Sequence, residues 1–225
     1  MSTKDQLIAK TRELLVDLHQ ELVRYELVAW TSGNVSQRMK FDDGSPDLFA
    51  IKPSGVRYDQ LTAESMVICD LDGKLVQGDL SPSSDTAAHA YVYRNMPDVN
   101  GVVHTHSNYA CAWAAVGKEI PCILTAIADE FGGPIPMGPF AIIGDDSIGR
   151  GIVETLTNHR SRAILMQNHG VFTIGIDATD AVKAAVMCED NAKSAFIAHQ
   201  LGTPIPIPQA AIESLFNRYQ TVYGK

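Results

Sequence analysis

The sequence predicts one α/β domain across residues 1–225, with a mostly antiparallel central sheet and helices on both faces. Three observations predict it. Segments with apolar residues at helical spacing alternate along the chain with short apolar runs bounded by turns. Asp43-Gly44 and Asp72-Gly73 sit between strand-like runs, as hairpins require, which argues against an all-parallel sheet. No composition break or internal repeat divides the chain. At 225 residues and 45% hydrophobic, such a chain buries roughly 70% of its unfolded surface and needs neither disulfide nor metal in order to fold.

The elements follow in order. Leu7, Ile8, Leu14, Leu15, Leu18, Leu22 and Val23 predict a helix over residues 3–28, broken by Ser32-Gly33-Asn34. Asn34-Val35-Ser36 enters a strand, and a polar hairpin over residues 38–48 leads to a second strand at 49–52, closed by Pro53-Ser54-Gly55. Residues 66–70 and 74–77 form the next hairpin. A helix over 86–96 follows Ser83-Ser84-Asp85, then a strand over 99–106 and a short helix over 109–116. The Gly and Pro content of 129–138 predicts loop. A helix over 147–158, strands over 163–166 and 171–176, a long helix over 179–201 stopped by Gly202, and a last helix after Pro204, Pro206 and Pro208 complete the chain.

Composition excludes several classes. The chain carries 18 Lys+Arg against 26 Asp+Glu, a formal charge of -8, and has no long basic run, so nucleic acid is not an expected partner. Its apolar runs fall far short of the ~20 residues of a membrane span. The first residues lack a basic head and apolar core, so no signal peptide is expected. Cys69, Cys111, Cys122 and Cys188 form no C-x-x-C pair and lie in apolar stretches. Buried reduced thiols and a cytoplasmic protein are expected.

The most informative triplet is His104-Thr105-His106. On a strand, period two places both imidazoles on one face, about 7 Å apart at Cα, close enough to share a metal. His169 lies in a turn between two strands, and Asp85 opens a helix; three imidazoles and a carboxylate would satisfy Zn²⁺ or Mn²⁺. His19, His89, His159 and His199 lie in helical patterns and receive no role. Ser32-Gly33-Asn34, Lys52-Pro53-Ser54-Gly55 and Ser81-Pro82-Ser83-Ser84 are rich in small hydrogen-bond donors. Such residues are ordinary turn formers and helix caps. Ser83 and Ser84 stand out because they adjoin both Asp85 and a helix start, where amides cradle phosphate. A metal beside such a cradle points to a small phosphorylated substrate.

Taken together, Ile51-Lys52-Pro53-Ser54-Gly55-Val56, Pro82-Ser83-Ser84-Asp85-Thr86, Val103-His104-Thr105-His106-Ser107 and Asn168-His169-Gly170 closely resemble the class II aldolase/epimerase family, over almost the whole chain. Within it, the likeness is strongest to the L-ribulose-5-phosphate 4-epimerase branch. The resemblance implies the class II aldolase/adducin-head fold and one Zn²⁺-type ion per subunit on Asp85, His104, His106 and His169. It implies phosphate binding by Ser54, Gly55, Ser83 and Ser84, with Gly33 and Asn34 touching the substrate. It further implies a homotetramer with active sites at subunit boundaries, and catalytic roles for Asp129 and the tail residue Tyr223. The implied reaction is metal-dependent epimerisation of L-ribulose 5-phosphate to D-xylulose 5-phosphate at C4.

Two alternatives stay open. One is a sugar-phosphate aldolase of the L-fuculose-phosphate type, although those enzymes usually carry Glu in the Asp85 slot. The other is a non-catalytic interaction module like the adducin head, which lacks the metal histidines. The chain departs from the epimerases in Ala126-Ile127-Ala128-Asp129-Glu130-Phe131, where the histidine two before the aspartate is missing, and in the hairpin at 38–48.

Overall fold

The computed structural model describes residues 2–222. Among these, eight strands form one sheet in the order β4-β3-β2-β1-β5-β8-β7-β6, flanked by seven α-helices. The strands are β1 (Asn34–Met39), β2 (Leu48–Ile51), β3 (Val67–Asp70), β4 (Leu75–Gln77), β5 (Gly101–Thr105), β6 (Met137–Gly138), β7 (Ala163–Met166) and β8 (Gly170–Gly175). Every strand pairing is antiparallel except β6 with β7, which makes the sheet mixed.

The alternation of side chains along the strands creates two apolar faces. On one face, Val35, Met39, Ala50, Ile68 and Val103 pack against α1 (Thr3–Arg24) and the first turns of α6 (Ala178–Leu201). Farther along the same helix, Ala184, Cys188 and Ala192 join α3 (Asn108–Ala115) and α4 (Thr125–Phe131) over Ala163, Leu165 and Val171. On the other face, Phe49, Ile51, Val67, Val102, Ile164 and Phe172 meet α2 (Thr86–Asn95) and α5 (Ser147–Leu156). The last helix is α7 (Gln209–Thr221). A helical stripe on each side of a half-buried sheet is the arrangement that period-two and period-3.6 patterns produce together.

Local chemistry sets the element ends. Ser2 and Asp5 form a reciprocal cap at the start of α1, and Asp177 accepts the Asp180 amide at the start of α6. Helix α1 ends at Arg24, four residues earlier than its apolar pattern predicts, because Glu26 turns the chain with a φ of 56° and drops Leu27 into the core. Gly101 and Gly175 face each other across β5 and β8. A Cβ on Gly101 would lie 2.1 Å from the Asp177 carbonyl oxygen, and one on Gly175 would lie 2.5 Å from the Ala181 amide nitrogen. The start of α6 therefore rests directly on backbone at this end of the sheet.

Residues 129–138 depart from the loop expected there. Asp129 lies in the last turns of α4, which is closed by Gly132 in the left-handed conformation at φ 65°. The four cysteines are free; Cys69 and Cys188 are buried, whereas Cys111 and Cys122 are only partly so. No helix among the described residues is long and apolar enough to cross a membrane.

Candidate active site

The starts of β1 and β8 and the ends of β2, β5 and β7 all fall at one edge of the sheet. Chain segments leaving that edge enclose a cavity of about 340 Å³. Beyond β2, Pro53 bridges Pro82, the Ser54 amide donates to the Ser81 carbonyl at 2.9 Å, and the Ser83 amide donates to the Lys52 carbonyl at 3.1 Å. These bonds zip residues 52–54 to the segment preceding α2. Gly33, with a φ of 78°, brings the entry to β1 against β5; a Cβ there would meet the His104 carbonyl at 2.8 Å.

The cavity wall takes Gly33 and Asn34 from the β1 entry, Ser54 and Gly55 from beyond β2, and Ser83, Ser84 and Asp85 from the start of α2. His104, His106 and His169 complete it from β5 and the β7–β8 turn. Ten residues singled out from sequence therefore share one cavity. Asp129 does not line it; its Oδ1 is buried elsewhere in the fold without a hydrogen-bond partner. Tyr223 lies outside the described residues.

The three imidazoles converge. His104 is buried and donates from Nδ1 to the Val171 carbonyl at 2.9 Å. This fixes its neutral tautomer with the Nε2 lone pair free. That Nε2 lies 2.9 Å from Nε2 of His106. Ligand nitrogens of His104, His106 and His169 all fall within 4.8 Å of one another. The His104 ring stacks on Phe172 at 4.1 Å. Asn168 adopts a φ of 56° to present His169, and Gly170 lets the turn press on β5, since a Cβ would sit 2.6 Å from the Thr105 carbonyl.

Asp85 occupies the N-cap of α2 but makes no capping bond. Its Oδ2 accepts from Asn34 at 2.7 Å, and its Oδ1 is buried without a partner. Burial pushes the Asp85 carboxyl up, but His104, His89 and the Asn34 bond outweigh it, and the net displacement is downward. Burial lowers His104 to about 4 and also lowers His106 and His169. At neutral pH the site thus holds a carboxylate with an unused oxygen beside neutral imidazoles whose lone pairs converge. That donor set suits a divalent cation such as Zn²⁺.

Behind Asp85, His89 contacts the Ser36 hydroxyl at 2.7 Å, and Ser36 contacts the Tyr93 hydroxyl at 2.6 Å. Lys52 also lines the cavity, and it is 2% exposed. Its ammonium donates to the carbonyls of Thr31 and Pro53 at 3.2 and 3.3 Å and lies over the Tyr58 ring. Burial lowers it to about 8. A buried cation without an acidic partner is a costly arrangement that an incoming anion would relieve. Sequence reasoning assigned Lys52 no role, although it stands beside Pro53-Ser54-Gly55; its burial was the missing signal.

Comparison with known proteins places this geometry. The model of the Class II Aldolase and Adducin N-terminal domain matches residues 13–196. Among solved structures, an L-fuculose 1-phosphate aldolase shares 25% identity at a TM-score of 0.85, with 94% of this chain and 96% of that one covered. The L-fuculose-1-phosphate aldolase of Thermus thermophilus is also 25% identical, at a TM-score of 0.67 over 83% and 92% of the two chains. The L-fuculose 1-phosphate aldolase of Glaciozyma antarctica, at 20% identity and a TM-score of 0.80 over 97% and 84%, shares the fold. With the family match spanning most of its length and the sheet order and histidine cluster in place, the chain belongs to the class II aldolase and adducin N-terminal domain family.

Proposed function

We propose that this chain is a metal-dependent sugar-phosphate enzyme that makes and breaks a C–C bond, acting as a C4 epimerase on L-ribulose 5-phosphate. The observation that carries the reading is the convergence of His104, His106 and His169 in one cavity that also holds the unpartnered Asp85 oxygen and the serine-rich segments. Asp85, His104, His106 and His169 would hold one Zn²⁺, or Mn²⁺, per subunit. When bound, the ion supplies Lewis acidity for polarising a ketose carbonyl and stabilising enediolate charge.

The chain's own groups do the rest. Ser54, Gly55, Ser83 and Ser84, with the amides at the start of α2 and the Lys52 ammonium, anchor the phosphate at C5. Gly33 and Asn34 border the sugar. A base removes the C4 hydroxyl proton, and the C3–C4 electron pair passes to the ketone half. This leaves a dihydroxyacetone enediolate and glycolaldehyde phosphate. With the phosphate held, the aldehyde carbon rotates and presents its other face. The enediolate attacks it, and an acid protonates the new C4 alkoxide. Asp129 and Tyr223 are assigned these two proton transfers. Since Asp129 does not line its own cavity, it would serve a neighbouring subunit, as in a cytoplasmic homotetramer with sites at subunit boundaries.

Asp85 favours the epimerase. A carboxylate one methylene shorter than Glu, and tethered by Asn34, is suited to hold a metal rather than swing away as a base. The second reading, an aldolase releasing its aldehyde, is favoured by the likeness to L-fuculose 1-phosphate aldolases. Zinc- or manganese-loaded protein should convert L-ribulose 5-phosphate to D-xylulose 5-phosphate without free glycolaldehyde phosphate. Asp129→Asn and Tyr223→Phe should each slow this about 10²-fold or more. Aldehyde release at the rate of turnover, or cleavage of L-fuculose 1-phosphate, would replace the epimerase by the aldolase.

A further inference from the structure

Trp30 is out of place by two measures. The residue is 72% exposed, and its backbone has a φ of 57°, a left-handed conformation that bulky residues rarely adopt. It stands at the second position of a tight turn, closed by the Ser32 amide donating to the Ala29 carbonyl at 3.0 Å, where glycine is the ordinary residue, and backbone outliers of this kind cluster at functional segments. The turn is held by Ser32, whose hydroxyl donates to the Ala29 carbonyl at 2.7 Å. What the conformation achieves is the placing of the indole under Arg57, whose guanidinium carbon lies 4.6 Å from the ring centroid.

Both partners belong to segments that wall the cavity. Trp30 immediately precedes Thr31, Ser32 and Gly33, and Arg57 lies two residues beyond Gly55. The same segments are tied a second time by the Tyr58 hydroxyl, which donates to the Ser32 and Gly33 carbonyls at 2.7 and 3.1 Å. Tyr58 ties them through buried hydrogen bonds, and Trp30–Arg57 ties their flanking residues at the surface. Arg57 keeps 43% of its side chain exposed, and only one nitrogen is engaged in its ion pair, with an Asp59 carboxylate 2.8 Å away and 63% exposed.

The charge balance of the cavity gives this pair a use. Its serines and glycines are neutral donors, and Lys52 spends its ammonium on two backbone carbonyls. A phosphate monoester approaches a chain of net charge -8 carrying close to two negative charges, so a further cation beside the cavity adds attraction that neutral donors do not. The planar guanidinium fork of Arg57 suits phosphate oxygens. We infer that Arg57, held in place by Trp30 and competed for by Asp59, is an anion-capturing, specificity-determining side chain beside the cavity. It selects phosphorylated over uncharged sugars. The inference rests on the cavity being an anion site, as proposed above.

The test is equilibrium dialysis of the metal-loaded protein against radiolabelled inorganic phosphate, in a Trp113→Phe background. Trp30 is then the sole tryptophan, and its fluorescence reports on the rim. Arg57→Gln should weaken phosphate binding about five- to tenfold, and Asp59→Asn should tighten it about twofold. Phosphate should shift Trp30 emission, while Zn²⁺ affinity stays unchanged in both variants. In turnover, Arg57→Gln should raise KM and leave kcat alone, a split that mere loosening of the fold would not produce. If Ser83→Ala weakens phosphate but Arg57→Gln and Asp59→Asn do not change it, Arg57 has no such role and the anion site stands. If the Trp113→Phe protein binds no phosphate and its Trp30 emission does not move, the anion-site reading falls and takes this inference with it.

Discussion

His19 and His104 invite comparison because so much about them is the same. Both are buried, both are lowered by burial, to about 3 and about 4, and both donate from Nδ1 to a backbone carbonyl, Leu15 for one and Val171 for the other. They differ in where Nε2 points. In His19 it accepts the Val35 amide at 3.0 Å, clipping α1 to β1 and leaving no lone pair over. In His104 it faces His106 at 2.9 Å, with His169 close by. Burial and a depressed pKa therefore do not distinguish a structural imidazole from a ligand. The fate of the second nitrogen does.

The sharpest way to break the comparison is His106→Ala. Outer-shell partners of a metal are typically worth 10- to 100-fold in affinity, so loss of a ligand should weaken Zn²⁺ binding by at least about 100-fold, with little change in the stability of the metal-free protein. Calorimetric titration checks it, and unchanged affinity would mean that the converging nitrogens hold no metal. Next in size is His19→Ala, which leaves the Val35 amide unpaired beside a void, while the Leu15 carbonyl keeps its helical bond. Urea unfolding should show a loss of about 2–4 kcal/mol, while the folded protein keeps its Zn²⁺ affinity. If metal affinity falls along with stability, the two histidines are not separable in the way described.

The smallest effect is on acid stability. His19, His89 and His104 are lowered by burial to about 3, about 3 and about 4, below the ordinary value of about 6.5 in an unfolded chain. Between these limits the unfolded chain binds more protons than the native one, so stability falls as pH drops from about 6.5 toward 4. Each histidine contributes at most about 1.4 kcal/mol per pH unit. His19→Ala should flatten that slope by one histidine's share, measured by urea midpoints across the range. An unaltered slope would mean that His19 takes up a proton in the native state.

How much of this was readable beforehand depended on the physics each segment uses. The hairpins at Asp43-Gly44 and Asp72-Gly73, the long α6 and the paired histidines were legible because alternation, capping and turn chemistry are local. Helix α4 was not. It has no capping side chain at Leu124 and only seven residues, and the nearby Gly132, Gly133, Pro134 and Pro136 made its end read as loop. The two-residue β6 is defined by its partner β7 rather than by anything in its own residues. In the candidate site, the grouping of the serine and histidine motifs was expected from resemblance, whereas the burial of Lys52, the freed oxygen of Asp85 and the absence of Asp129 from the cavity depend on tertiary placement. No spacing in one dimension reports them.

The glycines Gly101 and Gly175 have a reach beyond their own end of the sheet. They let the start of α6 sit on bare backbone, so β5 cannot slide by one residue without driving a side chain into that helix. A slip of one residue would also turn His104 to the opposite face of the sheet. The far end of the sheet thus works as an index stop for the converging histidines, apart from the serine-bearing segments of the cavity. Around the cavity, Gly33, which packs on the His104 carbonyl, and Tyr58, which holds Ser32 and Gly33, must stay, while their exposed neighbours can change for a different sugar as the imidazoles keep their places. A fold that separates alignment from recognition in this way is a good starting point for changing substrates, whether by natural divergence or in the laboratory.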